Sequence, residues 1–176
     1  MKINIILVPI IMLVAGCASI DIQSAKHSDL NTKAHWAVLP FANNTDTPLA
    51  NDKAAAMTSA ILQVKGESMI GNLPAGTRTQ ELLGGDWKKR YDKALNEANQ
   101  LGAEYAIAGS VDEWNYKAGI NAEPAVAITL WIINTNTQKI LWTGVASANG
   151  GSLSHTSTSS LAQRILTKLV NRALNK

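Results

Sequence analysis

The run Ala125-Val126-Ala127-Ile128-Thr129-Leu130-Trp131-Ile132-Ile133-Asn134 is followed, after Thr135-Asn136-Thr137-Gln138, by Lys139-Ile140-Leu141-Trp142-Thr143-Gly144-Val145-Ala146-Ser147-Ala148. Both runs are rich in residues that suit a pleated, half-buried surface. The polar segment between them is short enough to be a hairpin connection. Trp131 and Trp142 alternate with aliphatic residues, a pattern of core or cross-strand packing. Upstream, Tyr105-Ala106-Ile107-Ala108-Gly109-Ser110-Val111-Asp112-Glu113-Trp114 is a third run of this kind. The centre of the domain therefore reads as a meander of three strands.

Outward from the meander the chain alternates. Residues 34–40 (AHWAVLP) read as a buried strand ending at Pro40, and residues 41–48 as a loop. Asn51 or Asp52 is placed to cap a helix reaching about Val64. Its apolar positions are Ala54, Met57, Ile61 and Val64, and Gly66 stops it. A short strand fits 67–73, and Pro74-Ala75-Gly76 a turn. Gly84-Gly85 breaks the chain before Asp86, which caps a helix from Trp87 to Leu101 that ends at Gly102. A loop opens at Asn149-Gly150-Gly151-Ser152, and Ser159 or Ser160 starts a C-terminal helix. This order predicts an α/β fold, a mixed β-sheet covered by helices. No internal repeat interrupts it.

At the other end, Lys2 precedes an apolar stretch from Ile3 to Ala15, broken only by Asn4 and Pro9. The stretch closes in Leu13-Val14-Ala15-Gly16-Cys17, with the chain's single cysteine where a signal peptidase would cut. It is shorter than the roughly 20 residues of a transmembrane helix. The pattern resembles a bacterial lipobox, with Val14 where leucine is usual. That resemblance implies cleavage after Gly16 and acylation of Cys17 by fatty acids such as palmitate. Several acyl chains anchor a protein stably where one does not. Ala18 and Ser19, with no aspartate after the cysteine, resemble the bacterial sorting signal for the outer membrane, and that resemblance implies its inner leaflet. A soluble signal peptide with an incidental cysteine is the alternative. The expected organisation is a signal peptide (1–16), a lipidated cysteine and flexible tether (17–33), and a single α/β domain (34–176). Sixteen flexible residues, 18–33, have a root-mean-square span of about 22 Å.

Composition bounds the function. Beyond Cys17 the 176-residue chain leaves 159 residues, enough for one domain. Without Lys2, 15 basic side chains face 13 acidic ones, too mild an excess for nucleic-acid binding. The histidines His27, His35 and His155 are scattered and no thiol is left over, so no zinc site is expected. No phosphate-binding glycine loop and no Gly-x-Ser-x-Gly elbow occurs. Ser154-His155 has no acid nearby in sequence. No cofactor is expected.

Three candidate features remain. Asp112, Glu113 and Glu123 flank a turn near 117–121, beside Trp114 and Tyr116. Paired carboxylates there fit acid–base work on a glycan, a solvated hairpin end, or an acidic rim that attracts cations when repeated in an oligomer. Lys88, Lys89, Arg90 and Lys93 crowd the second helix, as a solvated face would. In the last helix Leu161, Ala162, Ile165, Leu166, Leu169, Val170, Ala173 and Leu174 form an apolar stripe. Arg164, Lys168, Arg172 and Lys176 recur every four residues on another face, suited to solvent or to anionic lipid.

Residues 36–45 (WAVLPFANNT) resemble the opening of TolB N-terminal-like lipoprotein domains. Residues 109–117 (GSVDEWNYK), Glu123-Pro124-Ala125-Val126, the hairpin ending in Ile140-Leu141-Trp142 and the helix opening Ser159-Ser160-Leu161-Ala162-Gln163 resemble the PelC family. These are outer-membrane lipoproteins of Pel exopolysaccharide secretion, important in biofilms. The resemblance implies a TolB N-terminal-like fold and a non-catalytic role. It implies a homo-oligomeric, dodecameric ring on the periplasmic side of the outer membrane, beside the porin PelB. An acidic rim of Asp112, Glu113 and Glu123 would guide a cationic polysaccharide. The stripe of Arg164, Lys168, Arg172 and Lys176 would face the membrane. Two departures stand out. The family carries an aromatic in the loop before the last helix, where this chain offers only Leu153 as a membrane contact. The family also has an acid at or near Asn121. Two other classes stay open: a lipoprotein activator of a peptidoglycan synthase, which shares the TolB-like fold, and an envelope glycan hydrolase using Glu113 and Glu123.

Overall fold

The structure, a computed structural model, describes residues 20–25, 30–31, 33–70, 86–118, 122–150 and 156–175. Within them lie strands β1 (Ile20–Ser24), β2 (His35–Val38), β3 (Ala42–Asn43), β4 (Ser68–Met69), β5 (Tyr105–Tyr116), β6 (Pro124–Asn134) and β7 (Ile140–Asn149). The helices are α1 (Ala50–Val64), α2 (Trp87–Gln100) and α3 (Thr158–Ala173). One mixed sheet runs in the order β1-β7-β6-β5-β2-β4, with β3 pairing β5 beyond the end of β2. The β5-β6-β7 meander and β1 are antiparallel, whereas β2, β3 and β4 join in parallel. The expected architecture, a mixed sheet covered by helices with a C-terminal helix, is the one observed.

Period-two alternation decides what the sheet buries. One face carries Trp36, Tyr105, Ile107, Val111, Trp114, Val126, Ile128, Leu130, Ile132 and Trp142 under α1 and α3. The full apolar stripe of α3 from Leu161 to Ala173 is buried there. Each large side chain so buried contributes about 1.5–3 kcal/mol relative to exposure. The other face is covered by α2 through Ala94, Leu95 and Ala98, packed on Ala37, Leu39, Ala106, Ala108 and Ile133. Trp142 and Trp131 therefore serve different layers: Trp142 is buried with α3, and Trp131 is half-buried beside α2. The hairpin is tied down by the Thr135 hydroxyl, which donates to the Ala103 and Glu104 carbonyls at the α2–β5 junction.

Local signals set several helix ends. Asp86 caps α2, its carboxylate accepting from Lys88 N (3.0 Å) and Lys89 N (3.3 Å). Gly66 and Gly102 stop α1 and α2 at φ 80° and 87°, where glycine carries no Cβ penalty. Other expectations need correction. Leu49 precedes α1 in the left-handed region with no side-chain cap, and Asn51 is buried, its amide donating to the Phe41 carbonyl. The buried residues of α1 are Ala50, Asn51, Ala54, Thr58 and Leu62; of the expected apolar line, Ala54 is buried and Met57 and Ile61 are half-buried against the core, whereas Val64 is 86% exposed. Thr58 fits inside because its hydroxyl bonds the Ala54 carbonyl at 2.8 Å. The expected loop 41–48 contributes β3, and the expected strand at 67–73 contains β4, its residues 71–73 lying outside the described residues. The cap of α3 is Ser157, which accepts from Ser160 N at 3.1 Å. Finally, residues 20–24 of the expected tether form β1, antiparallel to β7 over Ile20↔Ala148 to Ser24↔Gly144.

Candidate functional site

Asp112 is the extra residue of a β-bulge: Val111 pairs Ile128, and Glu113 pairs Ala127. A bulge turns two consecutive side chains to one side. Val111 and Trp114 enter the core under α1 and α3. Asp112 and Glu113 instead share the opposite face, beyond the end covered by α2. Asp112 is exposed but tethered. Its oxygens accept from Asn44 Nδ2 at 2.8 Å and Thr129 Oγ1 at 2.9 Å. Glu113 is half-buried, opposite the small side chain of Ala127. Glu123 stands at the hairpin end, where its carbonyl accepts from Lys117 N at 2.7 Å.

A fourth acid joins them. The register runs Glu113↔Ala127↔Ser147↔Asp21 straight across β5, β6, β7 and β1. Three strand spacings put Glu113 and Asp21 about 14 Å apart on the same face. Sequence reading missed Asp21 because it lay in the presumed tether. The signal was the alternation Ile20-Asp21-Ile22-Gln23, with Ile20 and Ile22 turned to the core.

The α3 cations lie on the other side of the sheet, whereas Lys88, Lys89 and Lys93 of α2 lie on the carboxylates' side and pair with acids of their own helix. Arg164, Lys168 and Arg172 are exposed on the outer face of α3. Lys168 and Arg172 line an open groove of about 510 Å³ with Ile22, Asn171 and Asn175. Arg172 donates to the outward carbonyl of Ile22 at 3.5 Å. Lys176, Leu153, Asn121 and Cys17 fall outside the described residues.

Other candidates have structural roles. Lys88, Lys89 and Lys93 pair with Asp92 (2.7 Å), Asp86 (3.8 Å) and Glu97 (3.7 Å) along α2. The bond to Asp92 raises the Lys88 pKa. His35 Nδ1 meets Ser68 Oγ at 2.8 Å, joining β2 to β4. Trp114 is 3% exposed and so unavailable for stacking on a sugar, whereas Tyr116 is 54% exposed. Among the described residues, no group of three His, Cys, Asp or Glu side chains is placed to hold a metal. No helix among them is long and apolar enough to cross a membrane.

This architecture, a mixed sheet with a C-terminal helix packed on one face, is shared with solved bacterial proteins. Lipoprotein GNA1162 of Neisseria meningitidis matches 81% of this chain and 99% of its own, with TM-score 0.57 and 22% identity, a likeness of fold. The chain is structurally similar, more specifically, to PelC. A dodecamer of a PelC point variant from Paraburkholderia phytofirmans matches 86% of this chain and 96% of its own, at 26% identity and TM-score 0.72. A second PelC dodecamer from that organism matches 89% and 98%, at 25% identity and TM-score 0.71. No protein-family model matches the chain. No curated protein matches it in sequence.

Proposed function

We propose that this chain is a non-catalytic lipoprotein of an exopolysaccharide export apparatus. In this reading it is acylated at Cys17 and held on the periplasmic side of the outer membrane. It assembles into a homo-oligomeric ring that steers a cationic polysaccharide toward a porin of the PelB kind. The observation that carries the reading is the likeness to PelC dodecamers over 86% and 89% of the chain. The separation of charge supports it. Asp21, Asp112 and Glu113 share one sheet face, and the α3 cations lie over the other. Repeated around a ring, such an arrangement gives one side of every subunit a field that attracts cations and the other a field that attracts anions.

Among the rim residues Glu113 and Glu123 are the better steering groups, because Asp112 also holds Asn44 and Thr129 in place. Export is tested in a deletion strain complemented with wild type, Cys17→Ser, or Glu113→Lys with Glu123→Lys. Secreted polysaccharide and β-lactam sensitivity are read together. The reading expects wild type alone to restore export, with the wall intact throughout. Full export from the charge-reversed variant removes steering. Normal export with a weakened wall in the deletion strain favours an activator of peptidoglycan synthesis.

A further inference from the structure

We infer that β1 converts the lipid anchor from a loose leash into a rigid strap, docking one end of the sheet on the bilayer surface. This rests on the acylation of Cys17 proposed above. Three residue steps separate Cys17 from Ile20, a reach of at most about 10–11 Å. Ile20 is not a free point: it pairs Ala148, which pairs Val126, which pairs Trp114. The anchor therefore enters at the sheet end where β5 finishes, β6 begins and β7 finishes. The opposite end, with Tyr105, Asn134 and Ile140, lies about 30 Å away along the strands.

The docked end carries two groups that suit a headgroup layer, next to the carboxylates of Glu113 and Glu123, so the strap rather than charge attraction has to hold this end at the surface. Tyr116, 54% exposed, extends β5 two residues past Trp114, and exposed Lys117 follows it. Tyrosine is favoured where one end of a side chain is apolar and the other wet, and lysine near anionic lipid. Other large exposed apolar residues, Val64, Leu101 and Ile140, end α1, follow α2 and begin β7 at the far end. They would then face away from the membrane.

The strap holds by identifiable bonds. Ala25 N donates to the Thr143 carbonyl, which fixes Asp21 and Gln23 as the residues whose amides also point at β7. Ile20 and Ile22 pack on the core, and Arg172 holds the outward carbonyl of Ile22. Were β1 to detach, the leash would grow to the sixteen residues 18–33, with a span of about 22 Å, and the orientation would be lost.

The test uses the full, acylated protein in vesicles of phosphatidylethanolamine and phosphatidylglycerol doped with a nickel-chelating lipid. A nitroxide is attached at Tyr116→Cys or at Lys139→Cys, the Cys17 thiol being blocked by its lipid. Relaxation by surface nickel should be strong at 116 and absent at 139. Asp21→Pro with Gln23→Pro removes both inward amides of the edge strand and should abolish the contrast. A long Gly-Ser insertion between Ala18 and Ser19, ahead of β1, should do the same. Vesicle-bound protein with equal relaxation at both sites, or stronger relaxation at 139, overturns the strap while leaving the anchor intact. A contrast that survives the insertion overturns it too. Protein that carries no lipid and does not float with vesicles removes the anchor reading and the strap with it.

Discussion

Glycine and tyrosine positions in this domain are set by what stands over them. Gly109 lies where a Cβ would meet the Thr129 carbonyl oxygen at 2.5 Å and the Phe41 ring at 2.8 Å. Backbone cannot yield there as a flexible side chain would. Gly109→Ala should therefore destabilise by about 1–3 kcal/mol, the range for an overpacked core, as a lower urea midpoint with unchanged slope. A midpoint equal to wild type would mean β5 and β6 separate more readily than the register suggests. Burial pushes the Tyr105 phenol above its ordinary value, and burial raises Tyr91 in the same way. A raised tyrosine pKa means that the fold favours the neutral form. The contribution is complete below the ordinary value of 10.0 and is lost as pH rises through the folded values. Thermal stability should fall on the alkaline side of that value, and Tyr91→Phe with Tyr105→Phe should make the fall shallower. An equally steep fall in the double variant would assign it to other groups.

At the scale of elements, α3 and β1 differ in kind. The stripe of α3 is fully buried, so Ile165→Ala or Leu166→Ala should cost about 2–5 kcal/mol, measured by denaturant unfolding. By contrast, β1 is an edge strand with two half-buried isoleucines, so the Asp21→Pro, Gln23→Pro variant should keep most of the stability while losing membrane orientation. A global unfolding of that variant would make β1 part of the cooperative core. The same contrast explains what could be read in advance. The helices α2 and α3 were legible from their helical period and capping residues, and the meander from three runs of strand-forming residues parted by polar connections. The face of α1 was read only in part, through Ala54, Met57 and Ile61, because threonine and asparagine share the core there, held by bonds to carbonyls that hydropathy does not register. Strand β1 was hidden because Asp21, Gln23 and Ser24 make five residues look polar, and only pairing with β7 gives them a structure. Of the candidate site, Asp112 and Glu113 were visible as neighbours. Their shared face was not, because it depends on a bulge that alternation alone does not announce. Asp21 reached the site only through the β1 register.

For the whole molecule, the sheet acts as a partition. Carboxylates stand on the face that α2 leaves open, α2 beside them carries lysines paired within the helix, the α3 cations stand behind the other face, and the proposed lipid anchor enters at one end. A single copy with this arrangement has a modest field. Identical copies around a closed ring would sum it, which is why oligomeric state bears on every part of the functional reading. Steering by that field should weaken with salt, since exposed charges are screened beyond roughly 8–10 Å at physiological ionic strength. A cationic oligosaccharide should therefore bind the assembled protein less tightly as salt rises, and a salt-independent affinity would point to contact rather than field. The most direct test of the central claim is the mass of the purified, detergent-solubilised protein by sedimentation velocity, with bound detergent accounted for. One discrete closed oligomer, of the size class of the PelC dodecamers, is expected. A strictly monomeric protein at high concentration would contradict it.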